Sequence, residues 1–168
     1  MRMFEKVSRI EEDIKLPERS TAYSAGYDFF AIEYTEIKPI EHDVEIAQSM
    51  YGATGVEVLH ENTKPTMVRT GVKVKMPEDE FLMLVNRSSN PSKKNLILAN
   101  GVGIIDADYY GNSDNDGEMM FPFYNVGKEP IVIKKGDKLG QGIFMKYGLT
   151  DNDNAEGERV GGFGSTGK

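Results

Sequence analysis

The chain has 168 residues, 39% of them hydrophobic, and a formal net charge of -7, enough apolar material for one core and a single domain. The acidic balance excludes a general nucleic-acid binder, which needs a basic face, and obliges any polyanionic ligand to find local cations or a bound metal. The absence of cysteine excludes a disulfide framework and thiolate metal sites, and no apolar run suits a signal core or a membrane span, so a soluble cytoplasmic protein without a membrane partner is expected.

In chain order, Ala25-Gly26-Tyr27-Asp28 reads as a turn glycine followed by an acid that needs hydrogen-bond partners. Ile40 to Asn62 is looser, carrying five acidic residues and both histidines. Its Val44, Ala47 and Tyr51 lie at helical spacing and predict a short surface helix. His42 and His60, 18 residues apart, read as surface residues rather than metal ligands. From Met67 to Met76 the chain alternates, with Val68, Thr70, Val72, Val74 and Met76 on one face. Phe81 to Val85 is a short apolar strand. Arg87-Ser88-Ser89 closes it, and Asn90 to Asn95 predicts one helical turn with Pro91 at its first position.

Asn100 to Gly111 is the densest stretch. Val102, Ile104 and Ile105 read as a buried strand, and Asp106 interrupts it with a carboxylate that is costly unless something uses it. An amide at Asn100, the acid at Asp106 and a ring at Tyr109 therefore share one hairpin. Tyr109 and Tyr110 are adjacent and face opposite ways, so one of them at most lines a pocket. Asn112 to Gly117 reads as a polar loop. Pro130 to Lys134 and Leu139 to Met145 are strands around a Lys-Gly-Asp turn. From Leu149 to Lys168 only Phe163 has much to bury, which predicts a tail disordered until a ligand orders it. Short strands with frequent turn signals predict an all-β, jelly-roll-like antiparallel sandwich or barrel, with one or two short helices and a flexible Gly-rich C-terminal tail.

Two motifs carry possible chemistry outside the hairpin. An Arg fork beside hydroxyls, as in Arg87-Ser88-Ser89, suits phosphate, although Ser-Ser after a strand is more often a turn or helix cap. Gly162 to Lys168 imitates a phosphate loop but lacks the helix that motif requires. A lone Phe163 among glycines instead suits a lid that stacks on a planar ligand while Arg159 meets anionic oxygens.

Together these pieces resemble the trimeric dUTP diphosphatase (dUTPase) family. Its five ordered motifs are matched by Ala25 to Asp28, Arg87-Ser88-Ser89, Asn100 to Gly111, Gly136-Asp137-Lys138-Leu139-Gly140-Gln141, and Arg159 to Gly167. The resemblance implies a jelly-roll subunit, a homotrimer with shared active sites, and Mg²⁺-dependent hydrolysis of dUTP to dUMP and pyrophosphate. It implies that Asp106 activates the water attacking the α-phosphorus. Asn100, Ile104 and Ile105, joined by Met120, would read the uracil edge, and Tyr109 would pack under the deoxyribose. Arg87, Ser88, Ser89 and Gln141 would hold phosphates. Phe163 would cover the base, while Arg159, Gly164, Ser165 and Thr166 close on the outer phosphates. Mg²⁺ would be held chiefly by triphosphate oxygens and water, with no protein ligand named.

The chain departs from the family pattern in places. Lys138 stands where many members have Arg, Ser89 replaces the commoner glycine, and one residue is missing between Arg159 and Phe163. The resemblance divides the chain into a β domain over 1–148 and a mobile lid over 149–168. Insertions at 40–62 and around Ser113 to Glu118 look similar to those of some bacterial and phage members, and the first is a candidate surface for a protein partner. The rival readings are a dCTP deaminase of the same fold and a binding protein switched by nucleotide.

Overall fold

The structure, a computed structural model, describes residues 1–40, 42–48, 54–61, 64–157 and 159, with only the backbone of 42–48 and 54–61. In chain order the strands are β1 (Met3–Lys6), β2 (Tyr27–Phe30), β3 (Thr35–Ile37), β4 (His42–Gln48), β5 (Thr54–Glu61), β6 (Thr66–Arg69), β7 (Val72–Lys75) and β8 (Glu80–Asn86). Helix α1 (Ser89–Lys94) follows, then β9 (Leu96–Leu98), β10 (Gly103–Asp106), a 3₁₀ turn over Ala107–Tyr109, β11 (Met120–Asn125), β12 (Ile131–Ile133) and β13 (Lys138–Lys146). All strand ladders are antiparallel. The expected all-β, jelly-roll-like architecture is therefore present. Among the described residues no helix is long and apolar enough to cross a membrane.

Two sheets dominate, ordered β10-β8-β13-β2 and β6-β11-β9. Between them lie Phe29, Leu82 and Leu139 from the first and Val68, Leu96, Phe121 and Phe123 from the second, all buried. The sheets meet closely at Gly140 of β13, where a Cβ would lie 2.1 Å from the Phe121 ring of the facing sheet; within its own sheet Gly142 makes room for Phe29 of β2, which would lie 2.7 Å from a Cβ there. No other residue fits at either place without moving an aromatic ring or the facing strand.

Several expectations change here. The alternating stretch Met67 to Met76 buries the expected face, from Val68 through Met76, but it is two strands in two sheets. Gly71, at φ +67°, turns the chain between them. The segment 40–62 is not helical where it is described: β4 and β5 form a hairpin of their own, with Val44 opposite Val58 and Ile46 opposite Val56. Here period-two pairing of β-branched residues wins over the weaker helical spacing of Val44, Ala47 and Tyr51. The side chains of His42 and His60 lie outside the described residues. Helix α1 forms as expected, with Pro91 third rather than first, and it ends at Asn95 in a left-handed conformation. Met76 and Met119 are buried in the core.

Candidate active site

The hairpin around β10 builds a pocket that takes Asn100 and Tyr109 of the expected trio, whereas Asp106 lies outside its lining, in a separate cleft with Ala107, Asp108, Tyr110 and Tyr147. A cavity of about 160 Å³ is lined by Leu84, Leu98, Asn100, Gly103, Ile104, Ile105, Tyr109, Met120, Phe121 and Pro122. That is close to the roughly 150 Å³ that accepts a benzene ring elsewhere, so one six-membered ring fits. All five residues assigned to base and sugar recognition, Asn100, Ile104, Ile105, Tyr109 and Met120, line it. Gly103 allows the close approach of the hairpin. A Cβ there would sit 3.2 Å from Leu84 Cβ and 3.6 Å from Asn100 Nδ2.

Among the described residues β10 is an edge strand, paired with β8 alone. Its outer N–H and C=O groups have no ladder partner among them and can meet a planar hydrogen-bonding ligand. The same edge position corrects the expected burial: Val102 and Ile104 are 46% and 52% exposed.

Tyr109 is buried and presents its ring to the cavity while its hydroxyl is engaged behind, donating to the Glu118 carbonyl at 3.1 Å. Burial raises its pKa against a smaller opposing effect of the hydrogen bond from Asn115, so the phenol stays neutral. Tyr110 turns the other way and donates to the Glu5 carboxylate at 2.7 Å.

Asp106 ends β10, its side chain half exposed, and pairs with the Arg159 guanidinium. Arg159 also donates to Asp108 at 2.7 Å and lies 5.9 Å from the centre of the Tyr109 ring. The tail thus reaches the hairpin at Arg159, bridging two acids rather than standing free for phosphate. Asp108 was not singled out by the sequence reading; its place two residues after Asp106 at the start of a turn is the only signal for it. Phe163, Gly164, Ser165 and Thr166, expected to form a lid, lie outside the described residues.

The remaining predicted residues gather elsewhere. Asp28 is buried on β2 and accepts hydrogen bonds from Ser20 at 2.7 Å and Gln141 at 3.0 Å, and it pairs with Lys138. Burial alone would raise its pKa, but the bonds from Lys138, Ser20 and Gln141 outweigh that and hold it at about 2. Gly26 leaves room for this arrangement, since a Cβ there would meet the Gln141 side chain at 3.0 Å. Arg87 donates to the Lys138 carbonyl at 3.3 Å. Ser88 caps α1 without a side-chain cap bond, and Ser89 opens the helix.

These two groups do not share a site within one chain. Asp106 pairs with Phe81 at one end of β8, whereas Gly140 and Gln141 pair with Asn86 and Val85 at the other, next to Arg87. Six residues of extended strand separate Phe81 from Arg87, roughly 20 Å. Arg87 and Asp106 therefore lie at opposite ends of β8.

A family model described as dUTPase matches residues 50–167. The deoxyuridine 5'-triphosphate nucleotidohydrolase of Lactococcus lactis subsp. lactis (strain IL1403) is 39% identical over 170 residues, spanning 99% of this chain and 98% of that protein. The crystal structure of dUTPase from Streptococcus mutans superposes with a TM-score of 0.71 at 36% identity, over 89% of this chain and 98% of its own. A mutant dUTPase of phage phi11 of S. aureus, described with a coordinated structural Mg(II) ion, superposes with a TM-score of 0.63 at 20% identity, over 94% of this chain and 97% of its own. That last likeness speaks for the fold alone. Motif order, pocket and kinship agree: the chain belongs to the dUTPase family.

Proposed function

We propose that this chain hydrolyses dUTP to dUMP and pyrophosphate, with water attacking the α-phosphorus and Asp106 as its general base. The observation that carries the reading is the ring-sized pocket beside an unpaired strand edge, with Asp106 next in the strand after Ile105. Uracil presents an acceptor, a donor and an acceptor along one edge, which backbone groups of β10 and the Asn100 amide can pair. Cytosine puts a donor where uracil has an acceptor, and a buried mismatch of that kind discriminates strongly. The Tyr109 ring lies under the deoxyribose and leaves no space for a 2′-hydroxyl. In-line attack needs positioning and charge neutralisation more than covalent chemistry.

The roughly 20 Å between Asp106 and Arg87 along β8 supports a site shared between copies, and we assign the assembly as a homotrimer. In it Arg87, Ser88, Ser89 and Gln141 of one copy hold the phosphates of a nucleotide seated in another copy's pocket. Arg159 leaves Asp106 for the outer phosphates, which frees the carboxylate to accept the proton of the attacking water. Phe163 covers the base, with Gly164, Ser165 and Thr166 on the phosphates, so that 149–168 acts as the lid of the domain over 1–148. The reaction takes place in the cytoplasm.

Among the described residues no cluster of three or more His, Cys, Asp or Glu could cage a metal. Mg²⁺ retains several waters and binds substrate phosphates rather than all-protein cages. When bound with the triphosphate, the ion neutralises phosphate charge.

Pyrophosphate release from dUTP, dCTP, dTTP and UTP, with and without Mg²⁺, tests the reading. Strong preference for dUTP is expected. Comparable kcat/KM for any two of the four would defeat it, and ammonia release from dCTP would establish the deaminase instead.

A further inference from the structure

The loop between the 3₁₀ turn and β11 has the composition of an exposed linker, yet Asn112, Asn115, Gly117 and Glu118 are buried. Asn115 fills the full hydrogen-bonding capacity of its amide. Its Nδ2 donates to the Tyr109 hydroxyl at 2.7 Å and to the Glu118 carbonyl at 3.2 Å. Its Oδ1 accepts from Asn112 Nδ2 at 3.0 Å and from the Gly117 N–H at 3.1 Å. Asn112 also donates to the Tyr109 carbonyl at 2.9 Å. Gly117, at φ +79°, passes so close that a Cβ would lie 2.8 Å from that carbonyl.

The loop is held just as firmly from outside. Asp116 accepts from the Ser8 N–H at 2.7 Å and from Lys73 at 2.9 Å. The fully buried Glu118 carboxylate takes the Gly71 N–H at 2.9 Å, Arg69 at 3.2 Å, and Arg9. Tyr109 is thus gripped through its hydroxyl and its backbone by a clamped loop, while its ring forms a wall of the pocket.

We propose that Asn115 is a positioning residue for sugar selectivity: by fixing the Tyr109 ring from behind, it keeps the pocket closed to ribonucleotides. The inference rests on the reading above that Tyr109 lies under the deoxyribose. A ring whose hydroxyl is held by both Asn115 and the Glu118 carbonyl cannot recede to admit a 2′-hydroxyl. A ring left with the longer bond to Glu118 alone can, at little cost to the natural substrate. Asn115 stands behind the ring and acts on selectivity through Tyr109.

The test measures kcat and KM for dUTP and UTP in wild type, Asn115→Ala, Tyr109→Phe, the double variant and Tyr109→Ala, with thermal melting as a control. Asn115→Ala is expected to lower the dUTP-over-UTP ratio of kcat/KM by about fivefold to tenfold, the scale of one buried hydrogen bond. The change should fall mainly on the KM for UTP, whereas mere destabilisation would lower both substrates alike. Tyr109→Phe, which leaves the Asn115 bond to the Glu118 carbonyl in place, should shift the ratio in the same direction even if Asn115→Ala folds poorly. In the Tyr109→Phe background Asn115→Ala should add nothing.

An unchanged ratio in folded Asn115→Ala or in Tyr109→Phe would overturn the proposal, as would an equal shift in both backgrounds. An unchanged ratio in Tyr109→Ala would instead sink the placement of Tyr109 under the sugar. A relaxed Tyr109→Ala beside an unaffected Asn115→Ala would sink only the role of Asn115.

Discussion

The two ends of β8 solve different problems with different materials. Towards the Phe81 end, the β10 hairpin makes one side of a neutral, ring-sized slot from a strand edge and one tyrosine, closed by Leu84, Leu98 and Met120 to Pro122. At the Arg87 end, a buried acid, a lysine, a glutamine and an arginine converge from β2, β8 and β13. Half of the slot's lining is local in sequence, whereas the Arg87 end is assembled from distant segments and, in the proposed assembly, would serve another copy's pocket. Strand geometry thus ties the catalytic reading to assembly.

The sharpest way to break this contrast is complementation. Asp106→Asn should lower kcat by about 10²–10⁴-fold, the usual worth of a general base, with dUTP binding nearly intact by calorimetry. Arg87→Ala should be similarly weak. Oligomers mixed from the two variants should recover a fraction of wild-type pyrophosphate release, because some sites then combine two intact halves. Mixed oligomers no more active than the separate variants would show that both ends serve one subunit. A chain ending before Arg159 should keep its fold and oligomeric state but lose on the order of 10²-fold in turnover, the typical effect of removing a charge-stabilising group. Wild-type turnover by that chain would remove the tail from the site.

The polar end makes a separate prediction about acid stability. Asp28 is held at about 2, below its usual 3.8. Its contribution is therefore full above that usual value and is lost as pH falls through the lower one. Asp28→Asn should cost on the order of 2 kcal/mol at neutral pH and flatten the stability profile between these limits. Denaturant unfolding at a series of pH values reads this directly. The smallest effect is expected from splicing Ile40 to Lys64. Among the described residues the β4–β5 hairpin ladders only with itself, so dUTP turnover and the melting midpoint should stay near wild type.

How much was legible follows the same division. The pocket residues from Asn100 to Tyr109 sit within one hairpin, where spacing translates into position. The buried face from Val68 to Met76 was equally readable, but the break at Gly71 was not, because parity of burial continues across the switch between sheets. The β4–β5 hairpin was hidden by competing periodicities in a polar setting. The loop 112–118 was misread as simply polar because what buries it comes from Ser8, Arg9, Arg69 and Lys73, which no local pattern announces. Likewise Asp28, Lys138 and Gln141 were recognisable as motif residues, but their mutual contacts depend on the β2–β13 register.

The grip of Ser8 and Arg9 on Asp116 and Glu118, over sequence separations of 108 and 109, bears on how this enzyme is handled. A fusion partner or protease cut that unseats the first ten residues would take one of two arginines from a carboxylate sealed away from water. The damage would surface at the far side of that loop, as a preparation that still turns over dUTP but has become careless about the sugar it accepts.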